Sequence, residues 1–390
     1  MRGWIWTVML AALTVACSED NRGANVGDDA PKDDENAAGE GGSRAQDIPS
    51  ESSSGKESGP GEPPGAHAAI TSDECGLDTG FAGDDYCILP PPPDKGFQLH
   101  IGPEDYDNPD PRYILEPGEE ATNDFVAVST NEVDVYFFER QYRMRPGAHH
   151  MIATALDGAG TAFGRGRRIG TANLSQDYPA DGVIPPENEG VGISLGAETR
   201  LNVSLHSINV TDKPILREVW VNFWYRDPDT VDEEAVQLFE IGDAGFAIPP
   251  GEDVVLGPYS CEITDSGRML WLYGHRHANN VRFSTWRVRN GQRDLIYEGF
   301  DWEEVLTLEY TSLIENPVAD RETMKEGGWS GVLDLMPGDK LEWECHVVNQ
   351  RSGTLRFTNE TYDGEMCIID GELVGTDCVA GGGGFGGLGL

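Results

Sequence analysis

Residues 200–210 read RLNVSLHSINV. Successive side chains of an extended chain point to opposite faces, so Leu201, Val203 and Leu205 share one face and Asn202, Ser204 and His206 the other. This period of two predicts a strand with one apolar face, and it puts His206 off the core. Similar runs lie on either side: VDVYFFER (133–140), MIATAL (151–156), EVWVNFWY (218–225), RMLWLYGHRH (268–277), VRFSTWRV (281–288), KLEWECHVVN (340–349) and TLRFTN (354–359). Gly, Pro, Asp and Asn clusters separate them, and no stretch carries a long 3.6-residue apolar period. The reading is all-β, with two antiparallel β-sandwich domains of jelly-roll type. The turn-rich stretch GFAIPPGED (245–253) marks the boundary between an N-terminal domain at 74–245 and a C-terminal domain at 246–379.

The flanks read differently. Residues 1–16, MRGWIWTVMLAALTVA, have one Arg, a short apolar run and small residues at the end, as in a secretory signal peptide. Thr14-Val15-Ala16-Cys17 resembles a bacterial lipobox, which implies lipidation of Cys17. Ordinary cleavage after Ala16 is the alternative. Residues 18–73 hold 13 acids, 4 bases and hardly an apolar side chain, so 17–73 reads as a lipidated Cys followed by a disordered acidic tether. Residues 380–390 form a Gly-rich tail. An exported chain in a bacterial cell envelope is expected, as an outer-membrane lipoprotein or in a periplasmic or secreted form. Its contact with a membrane is through the lipid anchor only.

The 390 residues carry 68 Asp+Glu against 28 Lys+Arg, a formal net charge of −40. Phosphate binding needs clustered cations, so this balance argues against nucleic acid as a partner. Besides Cys17 there are six cysteines: Cys75, Cys87, Cys261, Cys345, Cys367 and Cys378. The number is even and no CxxC occurs, which fits three disulfides in an oxidising compartment better than a zinc ribbon.

Of eight histidines, four form two tight pairs. His149-His150 follows Arg145-Pro146-Gly147. Adjacent strand residues face opposite ways, so the backbone must bulge or turn there if both are to hold one ion. His275-Arg276-His277 is H-x-H on a predicted strand. Its period of two puts both imidazoles on one face, suited to one metal. Arg276, between them, is expected to point across the sheet to solvent. Met366, beside Cys367, is a candidate third ligand, because a disulfide there would fix the backbone near the thioether.

These motifs together resemble the copper type II, ascorbate-dependent monooxygenases, the family of peptidylglycine alpha-hydroxylating monooxygenase and dopamine β-monooxygenase. That family has an HHM motif, a single His near the end of a strand, an H-x-H and a Met directly before a Cys. Here the same order appears as His149-His150-Met151, His206, His275-Arg276-His277 and Met366-Cys367. Trp286-Arg287-Val288-Arg289-Asn290-Gly291-Gln292 looks like the family's RVRNGQ run, and Asp363-Gly364-Glu365-Met366-Cys367 like its DEMC. The likeness covers roughly residues 125–380.

The resemblance implies one copper on each domain, held by His149, His150 and His206 in the first and by His275, His277 and Met366 in the second. It makes the second site catalytic, with dioxygen, a small-molecule substrate and ascorbate or another one-electron donor as partners. It also implies the pairings Cys345–Cys367 and Cys261–Cys378, leaving Cys75–Cys87 by elimination. A thioether selects soft Cu(I), and imidazole holds either oxidation state. The implied reaction is hydroxylation of a C–H bond, with one oxygen atom going to water.

Several positions depart from the family. Its peptide-carboxylate clamp is replaced at Tyr273, Ile368 and Asp370, so a peptide C-terminus is not the expected substrate. Ser207 stands where relatives have Tyr, and Leu156 stands near a missing Cys. Gly192-Ile193-Ser194-Leu195-Gly196 fits G-x-S-x-G but lacks the strand–turn–helix context of a hydrolase. GRGRRIG (164–170) reads as a basic loop, and His346 as part of a solvated face with Glu342 and Glu344. His67 lies in the tether, and His100 has no partner nearby in sequence. Two other functions remain open: a copper-binding envelope lipoprotein without turnover, and an adhesion module with incidental histidines.

Overall fold

The computed structural model describes residues 75–157 and 166–380. The leader 1–16, Cys17, the tether 17–73 with His67, and the tail from 381 onward lie outside the described residues.

The run that opened the reading is the strand Arg200–Ile208. Leu201, Val203 and Leu205 are fully buried on its inner face. It lies between Glu120–Val128 and Ala148–Ala155, with Arg167–Ala172 beyond, in a four-stranded antiparallel sheet. In the opposing sheet Gly96–Ile101, Val219–Arg226, Val135–Met144 and Val191–Leu195 run side by side. Phe137 and Phe223 of that sheet join Met151, Val203 and Leu205 in one apolar core.

The second half is built the same way. Gly327–Gly328, Gln292–Gly299, Asn280–Arg289, Lys340–Val348, Asp253–Ile263 and Cys378–Ala380 form a six-stranded sheet in that order. Glu233–Ile241, Ile368–Val374, Gly267–His275 and Leu308–Glu309 form its counterpart. The fold is an all-β sandwich architecture, and no α-helix occurs among the described residues. The Arg289–Gln292 hairpin closes through Asn290 and Gly291, both at positive φ (53° and 80°), as a two-residue turn matching the strand twist requires.

One strand ties the halves together. Glu233 and Glu234 pair in parallel with Val191 and Gly192, and the same strand then pairs antiparallel with Ile368–Val374. A ten-stranded sheet therefore runs across the expected 245/246 boundary.

Some strands carry no sequence signal. Glu120–Val128 (EATNDFVAV) buries only Phe125 well, and its first five residues are mostly polar. Ile368–Val374 (IIDGELV) is buried throughout, including Asp370 and Glu372, whose charges mask its central position. The segment GRGRRIG is not simply a loop: Arg167 onward is strand, because Ile169 faces the core while Arg168 reaches an acid in the other half. TLRFTN shrinks to Leu355–Arg356.

All three disulfides expected from the sequence are present: Cys75–Cys87, Cys261–Cys378 and Cys345–Cys367. Cys261–Cys378 spans 117 residues and ties the last described strand to its sheet. Closing so long a loop in the unfolded chain costs about 4–5 kcal/mol of its entropy, so Cys261→Ala/Cys378→Ala should lose about that much stability. Denaturant midpoints of the two proteins check it.

Glu309 offers a pH test of the packing between halves. Burial pushes its carboxyl up to about 8, although one oxygen accepts a hydrogen bond from the Ala180 N–H (2.8 Å). The folded chain therefore holds a proton that the unfolded chain releases near the ordinary carboxylate range. Stability from this group is fully present below that range and is lost as pH rises through about 8, at up to about 1.4 kcal/mol per pH unit. Glu309→Gln should remove this decline. Parallel stability profiles for wild type and variant between pH 5 and 8 would contradict it.

Candidate metal centre

Gly147 starts the site. Its φ of 91° is open only to glycine at low cost, and a Cβ there would lie 2.3 Å from Ile215 Cδ1. The chain then enters Ala148–Ala155 with a register shift between Ala148 and His150 against Ser207 and His206. His149 is the extra residue of this bulge, the backbone device that adjacent histidines needed. His149 and His150 end with ring centroids 5.4 Å apart.

Arg145, just upstream, is locked in place. Its Nε donates to Glu218 (2.7 Å) and its Nη2 to Asp84 (2.7 Å), while Glu218 also binds His100 (2.7 Å) and the Tyr106 hydroxyl (2.6 Å). His100, partnerless in sequence, thus belongs to the support of the first histidine pair.

His206 lies on the outer face of its strand, as the alternation requires, yet is only 1% exposed. His149 and His150 of its own half and His277 of the other lie against it, with ring centroids 5.2, 5.0 and 6.3 Å away. His275 ends the strand Gly267–His275 and His277 follows just beyond it, with ring centroids 5.3 Å apart. The five imidazoles meet in one place: His150 lies 5.0 Å from both His206 and His275, and His149 lies 5.2 Å from His206 and 5.6 Å from His275. The sequence expected two separate trios. The structure brings the histidines of both halves into a single buried cluster.

Arg276 corrects an expectation. It points away from the histidines, but into the interior, where it pairs with Glu326 and donates to the Gly274 carbonyl (2.8 Å) and the Tyr297 hydroxyl (3.2 Å). Its face of the strand packs against the core, so the alternation was right and the solvent was not there. His346 also finds a partner, Asp253 (2.6 Å).

Met366 is 7% exposed. His275, the last residue of its strand, pairs with Ile368, two residues after Met366, across antiparallel strands. Glu365 Oε1 accepts the backbone N–H of both His277 (2.7 Å) and Met366 (2.8 Å), and Cys367 is bridged to Cys345. Sequence reading missed Glu365, although it sits inside the quoted motif. Glu365→Ala should weaken metal binding by about 10–100-fold, the usual cost of losing a group that orients ligands. Competition with a calibrated chelator measures this.

The electrostatics suit a cation bound by neutral donors. Burial, reinforced by the neighbouring histidines, holds His149, His150 and His275 well below the ordinary imidazole range, and burial takes His277 to about 3. His149 Nε2 and His150 Nδ1 are buried with no hydrogen-bond partner. Unpaired buried polar atoms are costly, and neutral imidazoles sharing one cluster fit a transition metal. Ligand atoms of His149, His275 and His277 lie within 4.8 Å of one another.

Two of the three positions where the resemblance placed a carboxylate clamp, Tyr273 and Asp370, bond to each other. The Tyr273 hydroxyl donates to Asp370 (3.0 Å) and meets Thr171 (2.9 Å), while Arg168 binds Asp370 (2.9 Å). Ser194 lies in the strand Val191–Leu195, with no helix after it, and its hydroxyl bonds Glu234.

No family model matches the chain, and no curated protein matches it. Among solved structures it is similar to the major capsid protein P2 from bacteriophage PM2, at 12% identity, over 74% of this chain and 100% of that one. The TM-score is 0.23, too low to bear on fold or function.

Proposed function

We propose that this chain is a copper-dependent monooxygenase. The observation that carries the reading is the buried cluster of five imidazoles, with unpartnered nitrogens, next to a methionine whose backbone is fixed on both sides. His149, His150, His206, His275, His277 and Met366 would hold the copper. Bound copper supplies the one-electron chemistry by which dioxygen hydroxylates a C–H bond.

The protein's own residues prepare that chemistry. Burial keeps the imidazoles neutral, so their lone pairs face the metal rather than protons. Met366 biases the donor set toward the reduced ion. Glu120 accepts from His206 Nε2 (2.8 Å) and from the Thr361 N–H (2.8 Å), and so orients that ring. Glu365 keeps His277 and Met366 in register. In the overall reaction one oxygen atom enters the product and the other leaves as water, with two electrons from an external reductant such as ascorbate.

The test is copper loading followed by reductant-driven oxygen uptake, with mass detection of oxygen added to amines, phenols and aromatic acids. Copper binding without product over that screen would favour the second reading, a copper-binding envelope lipoprotein. The deep burial of His149, His206, His275 and His277 is the observation on that side. Absence of copper binding would sink both.

A further inference from the structure

We infer that the joint between the two halves is a binding site for one water molecule, held by Arg140 Nε and the Tyr178 hydroxyl. The site uses none of the histidines and does not depend on the copper reading.

Two strands and two loops build it. Arg140 and Tyr178 are directly paired across the strands Val135–Met144 and Gln176–Tyr178. The guanidinium carbon lies 4.5 Å from the centre of the Tyr178 ring. Trp271 and Thr307 of the second half close the space from the other side, so that Arg140, Tyr142, Gln176, Tyr178, Trp271 and Thr307 line one small cavity. Gln176 and Thr307 are its half-buried members, and Gln176 Nε2 donates to Thr307 Oγ1 (3.3 Å) across the halves. About 10 Å³ of the cavity is open to the centre of a water-sized sphere. That is room for one water and nothing larger.

The chemistry of the wall selects the occupant. Arg140 is 1% exposed and Tyr178 4%. Both Nη atoms of Arg140 donate to Glu372, one to each oxygen, and Trp271 Nε1 takes a further place on Oε2. The Arg140 Nε–H has no partner within the chain, and neither has the Tyr178 hydroxyl. A guanidinium keeps its proton when buried, so Nε is a donor that needs an acceptor. Leaving a charged donor unmet costs more than losing an ordinary hydrogen bond. Glu372 already answers the charge of Arg140, so the missing acceptor is neutral. Water meets each condition: it accepts from Nε–H, bonds the Tyr178 hydroxyl, and leaves a third bond for Thr307. Buried waters make about three such bonds. The joint is therefore completed by solvent at the one place where the ion pair leaves a donor over.

Two measurements test this. In a crystal structure of the full chain that shows ordered solvent, a water is expected within about 2.7–3.2 Å of both Arg140 Nε and Tyr178 Oη. A dry cavity overturns the inference. The second is chemical denaturation of wild type and Tyr178→Phe, which keeps the ring against Arg140 and removes only the hydroxyl. The variant should lower the folded-to-unfolded ratio about fivefold, the usual worth of one hydrogen bond. An unmet hydroxyl predicts the opposite sign, because removing it relieves a buried polar atom. A ratio that rises or stays the same overturns the role of Tyr178 and with it the site. If Tyr178→Phe fails to fold, the wild-type crystal decides alone.

Discussion

Met366→Leu is expected to reduce reductant-driven oxygen consumption by on the order of 100-fold or more, while the histidine-bound metal stays in place. Leucine keeps the buried volume, so packing should cost less than about 1.5 kcal/mol. What it removes is the sulfur, the one soft donor of the set. The backbone on either side does not move with it: the Met366 N–H remains on Glu365 Oε1 (2.8 Å), and Cys367 remains tied to Cys345. Met366→Ala should act alike on turnover but cost more stability, because it opens a cavity. The readings are oxygen uptake and the copper–sulfur contribution to X-ray absorption of the reduced protein. Turnover unchanged in Met366→Leu would end the role of this residue in oxygen chemistry.

Glu372→Ala should destabilise the whole chain by about 3–5 kcal/mol, because it strands a buried guanidinium. Glu372 lies in Ile368–Val374 and Arg140 in Val135–Met144, so the pair joins the two halves. Both guanidinium nitrogens donate to the carboxylate at 2.8 Å, and Trp271 Nε1 adds a third bond at 3.0 Å. Both side chains are almost completely out of water. The Arg140→Met/Glu372→Leu protein should recover most of the loss, since an apolar pair of similar volume carries no desolvation penalty. Chemical denaturation of the three variants decides it, and a single-variant cost below about 1 kcal/mol would show that the pair contributes little.

Comparison of particular elements shows where sequence reading worked. Arg200–Ile208 and Lys340–Val348 were visible because each packs one apolar face and leaves the other more polar, and Val219–Arg226 because its run is β-branched and aromatic. Glu120–Val128 was hidden because it lies at a sheet edge and buries little. Ile368–Val374 was hidden for the opposite reason: it is buried on both faces and carries Asp370 and Glu372 inward to partners more than a hundred positions away. Arg276 misled in the same way, since a charge on the far side of a strand reads as exposed until Glu326 is known to face it.

The candidate site divides similarly. The local geometry was in the sequence. Pro146-Gly147 allowed the bulge at His149, and the period of two put His275 and His277 on one side and Arg276 on the other. The same period set His206 apart from Leu205. The even cysteine count also pointed to the three disulfides. These are properties of a few consecutive residues, fixed by backbone sterics. The tertiary structure alone decided that five rings from two halves share one buried volume, that Glu120 and Glu365 orient them, and that Glu372 answers Arg140. Each of those depends on strands brought together from distant positions, and short-range alternation along a chain contains no information about which face another strand will cover.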